Sequence, residues 1–342
     1  MPALFSLASK LSVPNLDRAL HSAFLSMLGQ ATAVDRASVL SCYSSSVATE
    51  IAGRAMYSKG VRRVGLVHPT FDNIPDILAG VGLELLEVPE ESLLDPAAGS
   101  WPDLDALFVV SPNNPTGAVL DAEALTRVAD WCADRGVVLA LDTCFRGFDQ
   151  RAWFDHYAIL EASGTDWFVV EDTGKLYPLL DLKVGLLVFP ADSPLPLRRI
   201  HTDILLGVSP MISIVVLELT RDAASGGGLI ELHRTIAANR EILRQTVAGV
   251  GYDAWCDPGS RISVQRIRLP GSANAVRVAA DLRDAGLHVL PGTKFHWARP
   301  GEGASHLRVA LGRPADAVRQ GAGLLADRLA ALASSPEVVR AS

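Results

Sequence analysis

Five short stretches of this sequence carry side chains able to do chemistry. In residues 42–50 (CYSSSVATE), Ser44, Ser45 and Ser46 stand just before a helical pattern. Hydroxyls and free N–H groups at a helix N-terminus bind anions such as phosphate, and the same serines serve equally as an ordinary N-cap. In 67–73 (VHPTFDN), Phe71 offers a flat face to a planar ligand or a ring to the core. In 111–117 (SPNNPTG), Asn114 lies in an Asn-Asn-Pro-Thr-Gly turn whose amides point at a ligand or simply close the turn. Asp142, in LDTCFRGFD, ends an apolar run. A carboxylate there is costly unless a cation meets it, in a ligand or in a salt bridge. Lys175, in EDTGKLYPLLDLKVG, lies just past another apolar run, and Lys183 follows eight residues later. A desolvated lysine amine can condense with an aldehyde, although either lysine alone also reads as a solvated surface side chain.

Taken together, the stretches describe one ligand. It has an anionic group for Ser44, Ser45, Ser46 and Lys183, and a flat ring over Phe71. It has a polar substituent for Asn114, a ring cation for Asp142 and an aldehyde for Lys175. Pyridoxal 5′-phosphate has all of these, and its pyridinium nitrogen requires an acidic partner.

The elements that must hold these loops are legible as apolar runs. Strands are expected at 64–67 (VGLV), 107–110 (LFVV), 137–141 (VVLAL), 167–170 (WFVV) and 184–189 (VGLLVF). Continuous Val/Leu runs indicate strands covered on both faces, and their alternation with helices implies a mostly parallel α/β sheet. Helices are expected at 74–79, stopped by Gly80 and Gly82, at Ala122–Arg135 and at 229–250. After the 225–228 break (SGGG), strands are expected at 261–266, 288–290 and 307–310. This divides the chain into a large domain, 1–229, with a short N-terminal segment at 1–20, and a smaller C-terminal α+β domain, 230–342. Functional groups of such sheets gather at the carboxyl ends of the strands, where all five stretches fall.

The composition agrees with a globular enzyme and excludes other classes. With 342 residues, 49% hydrophobic and 20% charged, the chain has material for about two domains and none of the bias of disorder. A net charge of −7 argues against a nucleic-acid or anionic-membrane surface. Cys42, Cys132, Cys144 and Cys256 show no CxxC spacing, so no disulfide framework and no metal site is expected. There is no uninterrupted run of the ~18 apolar residues a membrane helix needs, and the N-terminus lacks a signal-peptide pattern. A cytoplasmic location is expected.

SPNNPTG, Asp142 three residues before an aromatic, and Lys175 with Lys183 eight residues on resemble the fold-type I PLP-dependent enzymes of the aminotransferase superfamily. The resemblance covers nearly the whole chain. It implies that Lys175 carries the cofactor and that Arg308, in LRVALGR, grips a substrate α-carboxylate, a task suited to its bidentate fork. It also implies a homodimer, with the DILLGVSP stretch at 203–210 reaching the neighbouring site.

A narrower resemblance is visible in LSCYSSSVATE, LVHPTFDNIPD, LALDTCFRGFD, EDTGKLYPLLDLKVGLLVF, DILLGVSP and FHWARP. These are similar to the PLP-dependent L-arginine oxidases and hydroxylases of enduracididine-type antibiotic pathways. The likeness implies dioxygen as oxidant without metal or flavin, and 2-ketoarginine or 4-hydroxy-2-ketoarginine as product. Two positions fit it physically. Phe145 stands where ordinary transaminases carry a tyrosine that donates to the cofactor's phenolic oxygen. Asp172 replaces the common Ser or Thr and reads either as a partner for a substrate guanidinium or as a local cap. His296 and Trp297 line the substrate pocket or pack in the core. The arginine oxidases carry a longer N-terminal segment that closes over substrate, and residues 1–15 do not supply its acids or histidine. Two further readings are therefore an ordinary aminotransferase or arginine-derived cyclase, and a non-catalytic subunit of the same fold.

Overall fold

The apolar runs become the centre of a seven-stranded sheet in a computed structural model that describes residues 6, 10, 12–177, 182–251, 253–271 and 273–334. In chain order the sheet strands are β1 (Ala37–Cys42), β2 (Arg63–His68), β3 (Glu84–Pro89), β4 (Ala106–Val110), β5 (Val138–Asp142), β6 (Trp167–Asp172) and β7 (Gly185–Pro190). They lie in the order β1-β7-β6-β5-β4-β2-β3. The pairs β2–β4, β4–β5 and β5–β6 are parallel, while β7 runs antiparallel to both β6 and β1. Every residue of β4, β5 and β6 is buried, as continuous apolar runs require when helices cover both faces.

Two strands were not expected. β1 (ASVLSC) carries serines, and β3 (ELLEVP) is an edge strand with polar residues; neither forms a continuous apolar run. The helix expected at 74–79 runs through Gly80 to Val81, because Gly80 lies in open space and its missing side chain disturbs nothing.

The chain separates into two compact units. The first holds the stretches up to Val67, Asn73–Pro112 and Val119–Leu229; the second holds His68–Asp72, Asn113–Ala118 and the chain from Ile230 onward. Helix α1 (Val13–Met27) buries Leu16, Leu20, Phe24 and Leu25 and packs on α8 (Pro210–Gly226) in the first unit. The other helices there are α2 (Ala31–Arg36), α3 (Ser45–Ser58), α4 (Asn73–Val81), α5 (Ala122–Arg135), α6 (His156–Ser163) and α7 (Leu197–Ile204). Helix α5 shows how local chemistry sets the ends: Asp121 accepts from the Ala124 N–H at 2.8 Å, and Gly136 closes the helix at φ 64°.

The second unit contains a three-stranded antiparallel sheet of β8 (Val264–Arg268), β10 (His306–Ala310) and β9 (Leu290–Pro291), in that order. Helices α9 (Gly228–Val247), α10 (Ala275–Asp284) and α11 (Ala315–Ala333) complete its regular structure. The strand expected at 261–266 begins only at Val264, where pairing with Ala310 starts, and the one expected at 288–290 shrinks to two residues. Residues 1–5, 7–9 and 11 of the expected N-terminal segment, and 178–181 of the Lys175 stretch, lie outside the described residues. All four cysteines are buried free thiols.

Candidate active site

The carboxyl ends of β5 and β6 and the entry to α3 bring the first unit's chemical residues together. Asp142 is the last residue of β5 and is buried. Its Oδ1 accepts from the Cys144 backbone N–H at 2.9 Å, and the Cys144 thiol donates to the same carboxylate. Burial raises the Asp142 pKa, while the Cys144 hydrogen bonds and the nearby Lys175 charge hold it down. The Cys144 thiol is raised well above its usual range by burial and by the charges of Asp142 and Asp172, so it stays protonated and able to donate.

Lys175 ends the 3₁₀ turn Thr173–Lys175 that follows β6 directly. Its Nζ lies 5.8 Å from the centre of the Phe145 ring, a residue whose side chain has no donor of its own. Asp172, weighed in sequence as a guanidinium partner or a cap, is used here as a cap. Its Oδ1 accepts from the Gly174 N–H at 2.7 Å, and its Oδ2 accepts from the N–H and hydroxyl of Ser45 at 3.1 and 2.9 Å. Asp172 thereby ties the turn that bears Lys175 to the first turn of α3.

The three serines divide their work. Ser44 is the N-cap of α3 and accepts from the Val47 N–H; Ser45 is held by Asp172; Ser46 Oγ accepts from Asn73 Nδ2 at 2.7 Å. Two glycines set how closely these parts approach. A Cβ on Gly185 would stand 2.3 Å from the carbonyl carbon of Ser44, and one on Gly174 would stand 2.7 Å from Lys183 Cβ. Without side chains, β7 reaches the start of α3, and Lys183 lies along the lysine turn. The result is a helix N-terminus with hydroxyls and a lysine beside it, a cradle suited to phosphate.

Sequence reasoning missed the support beneath Asp142. Arg146 and Glu171 are fully buried and face each other at 3.1 Å, and Tyr157 donates to the same Glu171 oxygen at 2.9 Å. Glu171 is raised by burial and by Asp142, against the lowering effect of Arg146. Arg146 lies four residues beyond Asp142 and Glu171 one before Asp172, but their pairing spans two strand ends and no local spacing reveals it.

The remaining candidates belong to the second unit. Phe71 follows β2 by three residues, and Asn114 follows β4 by four. Their two segments are joined by Thr70 Oγ1 donating to Asn113 Oδ1 at 3.1 Å and Asn113 Nδ2 donating to the Pro69 carbonyl at 2.8 Å. The Thr70 N–H also donates to the Phe295 carbonyl. The turn requires glycine at 117, where φ is +74° and a Cβ would meet Ser260 Oγ at 2.2 Å. Among the described residues Asn114 Oδ1 is buried with no hydrogen-bond partner, and so is Arg308 Nε in β10. The Arg308 guanidinium lies 5.3 Å from the Phe295 ring centre, and burial lowers its pKa while Asp72 raises it. Buried polar groups of this kind are costly unless something binds them.

In the first unit a buried acid, a lysine on the adjoining strand end and a glycine-shaped helix N-terminus are donors that pyridoxal 5′-phosphate requires, and these residues fit it. Residues 12–325 match the aminotransferase class I and II family, and the chain belongs to that family. The protein is thus an enzyme of a PLP-dependent family, built on the α/β fold of fold-type I. Among solved structures it is similar to MppP, in a structure soaked with the product 2-ketoarginine. The identity is 44%, with 96% of this chain and 93% of that one covered at a TM-score of 0.90. It shares its fold with the Thermus thermophilus aspartate aminotransferase bound to maleate, at 20% identity over 92% of this chain and 82% of that one, TM-score 0.73. By sequence it is 24% identical over 273 residues to the valine–pyruvate aminotransferase of Mycobacterium tuberculosis, covering 75% of this chain and 67% of that enzyme. It spans 50% and 61% of the length of the aspartate/prephenate aminotransferases of Aquifex aeolicus and Thermus thermophilus, the former a probable one. Among the described residues no helix is long and apolar enough to cross a membrane.

Proposed function

We propose that the protein is a PLP-dependent oxidase of L-arginine or a close cationic relative. The observation that carries this reading is the 44% identity, over nearly the full length of both chains, to an enzyme whose product is 2-ketoarginine. Phe145 in place of a hydrogen-bonding tyrosine supports it. The balanced reaction consumes the amino acid, dioxygen and water, and yields the 2-keto acid, ammonia and hydrogen peroxide. The 4-hydroxylated keto acid requires a second two-electron oxidation at C4, which consumes a further dioxygen and water and yields a further hydrogen peroxide. The expected setting is a cytoplasmic homodimer serving antibiotic or non-proteinogenic amino-acid biosynthesis.

When bound, the cofactor supplies an aldehyde for an amine and a ring that accepts the electron pair left at Cα. Lys175 holds that aldehyde and, once released, takes the proton from the substrate Cα as general base. Asp142 pairs with the ring nitrogen, and the Cys144 N–H and thiol orient its carboxylate and oppose the upward push of burial. Asn114 donates from its side-chain amide nitrogen to the phenolic oxygen, and Phe71 stacks on the ring. Ser44, Ser46 and Lys183 bind the phosphate, while the N–H and hydroxyl of Ser45 are held by Asp172 at the head of α3. Arg308 grips the substrate carboxylate, its unpaired Nε turned to use.

The test is oxygen uptake by the holoenzyme with L-arginine and no keto acid. Uptake with release of ammonia and 2-ketoarginine supports the oxidase. Turnover that appears only when a 2-keto acid is added, without oxygen uptake, establishes an aminotransferase instead. A spectrum that no amino acid changes establishes a non-catalytic subunit.

A further inference from the structure

The second unit gathers three metal-ligand side chains: His68, at the end of β2, and, more than 200 residues further along the chain, His296 and Glu302. One donor atom from each lies within 4.8 Å of the other two. Glu302 Oε2 lies 3.6 Å from His68 Nε2 and 3.8 Å from His296 Nδ1. Zinc–ligand bonds of about 2.0–2.2 Å in tetrahedral geometry place neighbouring donor atoms about 3.4 Å apart. The two carboxylate edges therefore need only a few tenths of an ångström of adjustment.

The surroundings favour an ion as well. His296 is 7% exposed, and neither of its ring nitrogens has a hydrogen-bond partner among the described residues. The two imidazoles meet edge to face, with centres 5.1 Å apart. Arg299 occupies the other carboxylate oxygen, Oε1, at 2.8 Å and leaves Oε2 turned to the histidines. Of the cations whose charge reaches His296, Arg266 is neutralised by Asp257 at 2.5 Å. Glu302 is half-exposed, which gives an ion a way in.

We propose that His68, His296 and Glu302 bind one divalent ion of the zinc class, leaving a fourth position to water. Two imidazoles and a carboxylate are the ligand set of open zinc sites, and imidazole selects Zn²⁺, Co²⁺ or Ni²⁺ over Mg²⁺ or Ca²⁺. The ion's role is to hold. It pins the His68–Asp72 segment, which carries Phe71, to the loop containing His296 and Glu302.

The experiment uses tag-free holoenzyme stripped with EDTA, dialysed, and titrated calorimetrically with Zn²⁺ alone, with Co²⁺ as a spectroscopic substitute. One Zn²⁺ per chain is expected, together with the visible ligand-field bands of low-symmetry Co²⁺. His296→Ala and the isosteric Glu302→Gln each weaken zinc binding tenfold or more. His288→Ala, at an exposed histidine outside the cluster, does not. Glu302→Gln changes a half-exposed side chain and keeps its volume, so its result does not depend on refolding the core. Zinc uptake below one-half per chain, or wild-type affinity in both variants, overturns the assignment.

Discussion

Gly185→Ala tests the phosphate cradle at its narrowest point. The new Cβ would stand 2.3 Å from the Ser44 carbonyl carbon, 2.6 Å from its oxygen and 2.7 Å from the Ser45 nitrogen. Ordinary contact begins at 3.4 Å, so β7 and the start of α3 must separate by about 1 Å. All three atoms are backbone, so no side chain can swing away to absorb the overlap. Overpacking of this size costs about 1–3 kcal/mol. At ~2 kcal/mol, and ~2–4 °C per kcal/mol for a domain of this scale, the melting temperature falls by ~4–8 °C. The same displacement moves Ser44 and Ser45 relative to Lys183. A misplacement of about 1 Å in a positioned site lowers turnover about a hundredfold. The assay is cofactor affinity by fluorescence titration alongside thermal unfolding, with Gly207→Ala, which meets nothing within 4 Å, as the control. Wild-type cofactor affinity and melting temperature in Gly185→Ala would refute the argument that this glycine sets the cradle.

Other expectations concern the groups around the cradle. Lys175→Ala abolishes borohydride fixation of the cofactor to the chain and lowers turnover by about three orders of magnitude or more, the scale for losing a nucleophile and base; a variant that keeps full turnover assigns the role elsewhere. Asp142→Asn lowers turnover by ~10²–10³, as removal of one preorganised electrostatic partner does, with an unchanged circular dichroism spectrum. Glu171→Gln leaves Arg146 charged and buried without its partner, and urea unfolding should show a loss of ~3–5 kcal/mol. The pair Arg146→Met with Glu171→Leu costs less than that single change if the penalty lies in the orphaned charge. His21 is lowered by burial from 6.5 to about 4, and His156 lies well below its ordinary value. Both remain neutral in the native state while the unfolded chain takes up protons near pH 6.5. Their stabilising contribution is therefore complete above pH 6.5 and is lost as pH falls towards 4. Asp17, Asp142 and Glu171, all raised by burial, work in the opposite direction, while His296 and His306, also lowered by burial, add to the effect of the first two histidines. The urea midpoint should be lower at pH 5 than at pH 7.5, and a flat or rising midpoint contradicts the burial of these histidines.

The sheet centre was legible because covered strands must be apolar throughout: VGLV, LFVV, VVLAL, WFVV and VGLLVF all became strands. β1 and β3 escaped because an edge or a serine-bearing strand leaves no such run. Asp142 stood out because it ends an apolar run, and Lys175 because it lies just past another, positions that demand a reason for a polar group. Asp172 was half legible: the residue type pointed to a cation or a cap, and only the geometry shows its oxygens on Ser45 and Gly174. The Arg146–Glu171 pair and the His68, His296 and Glu302 cluster had no sequence signature, since their partners meet only after strands and loops distant along the chain are brought together.

The assignment of His68–Asp72 and Asn113–Ala118 to the second unit has a consequence for how this protein can be taken apart. The polypeptide passes from one unit to the other at 67/68, 72/73, 112/113, 118/119 and 229/230. A gene fragment ending at 229 would carry two pieces that belong to the missing half, while one beginning at 230 would lack them. A cut at 229/230 therefore parts the second unit from two of its own segments, and an exchange that keeps each unit whole must respect all five passages.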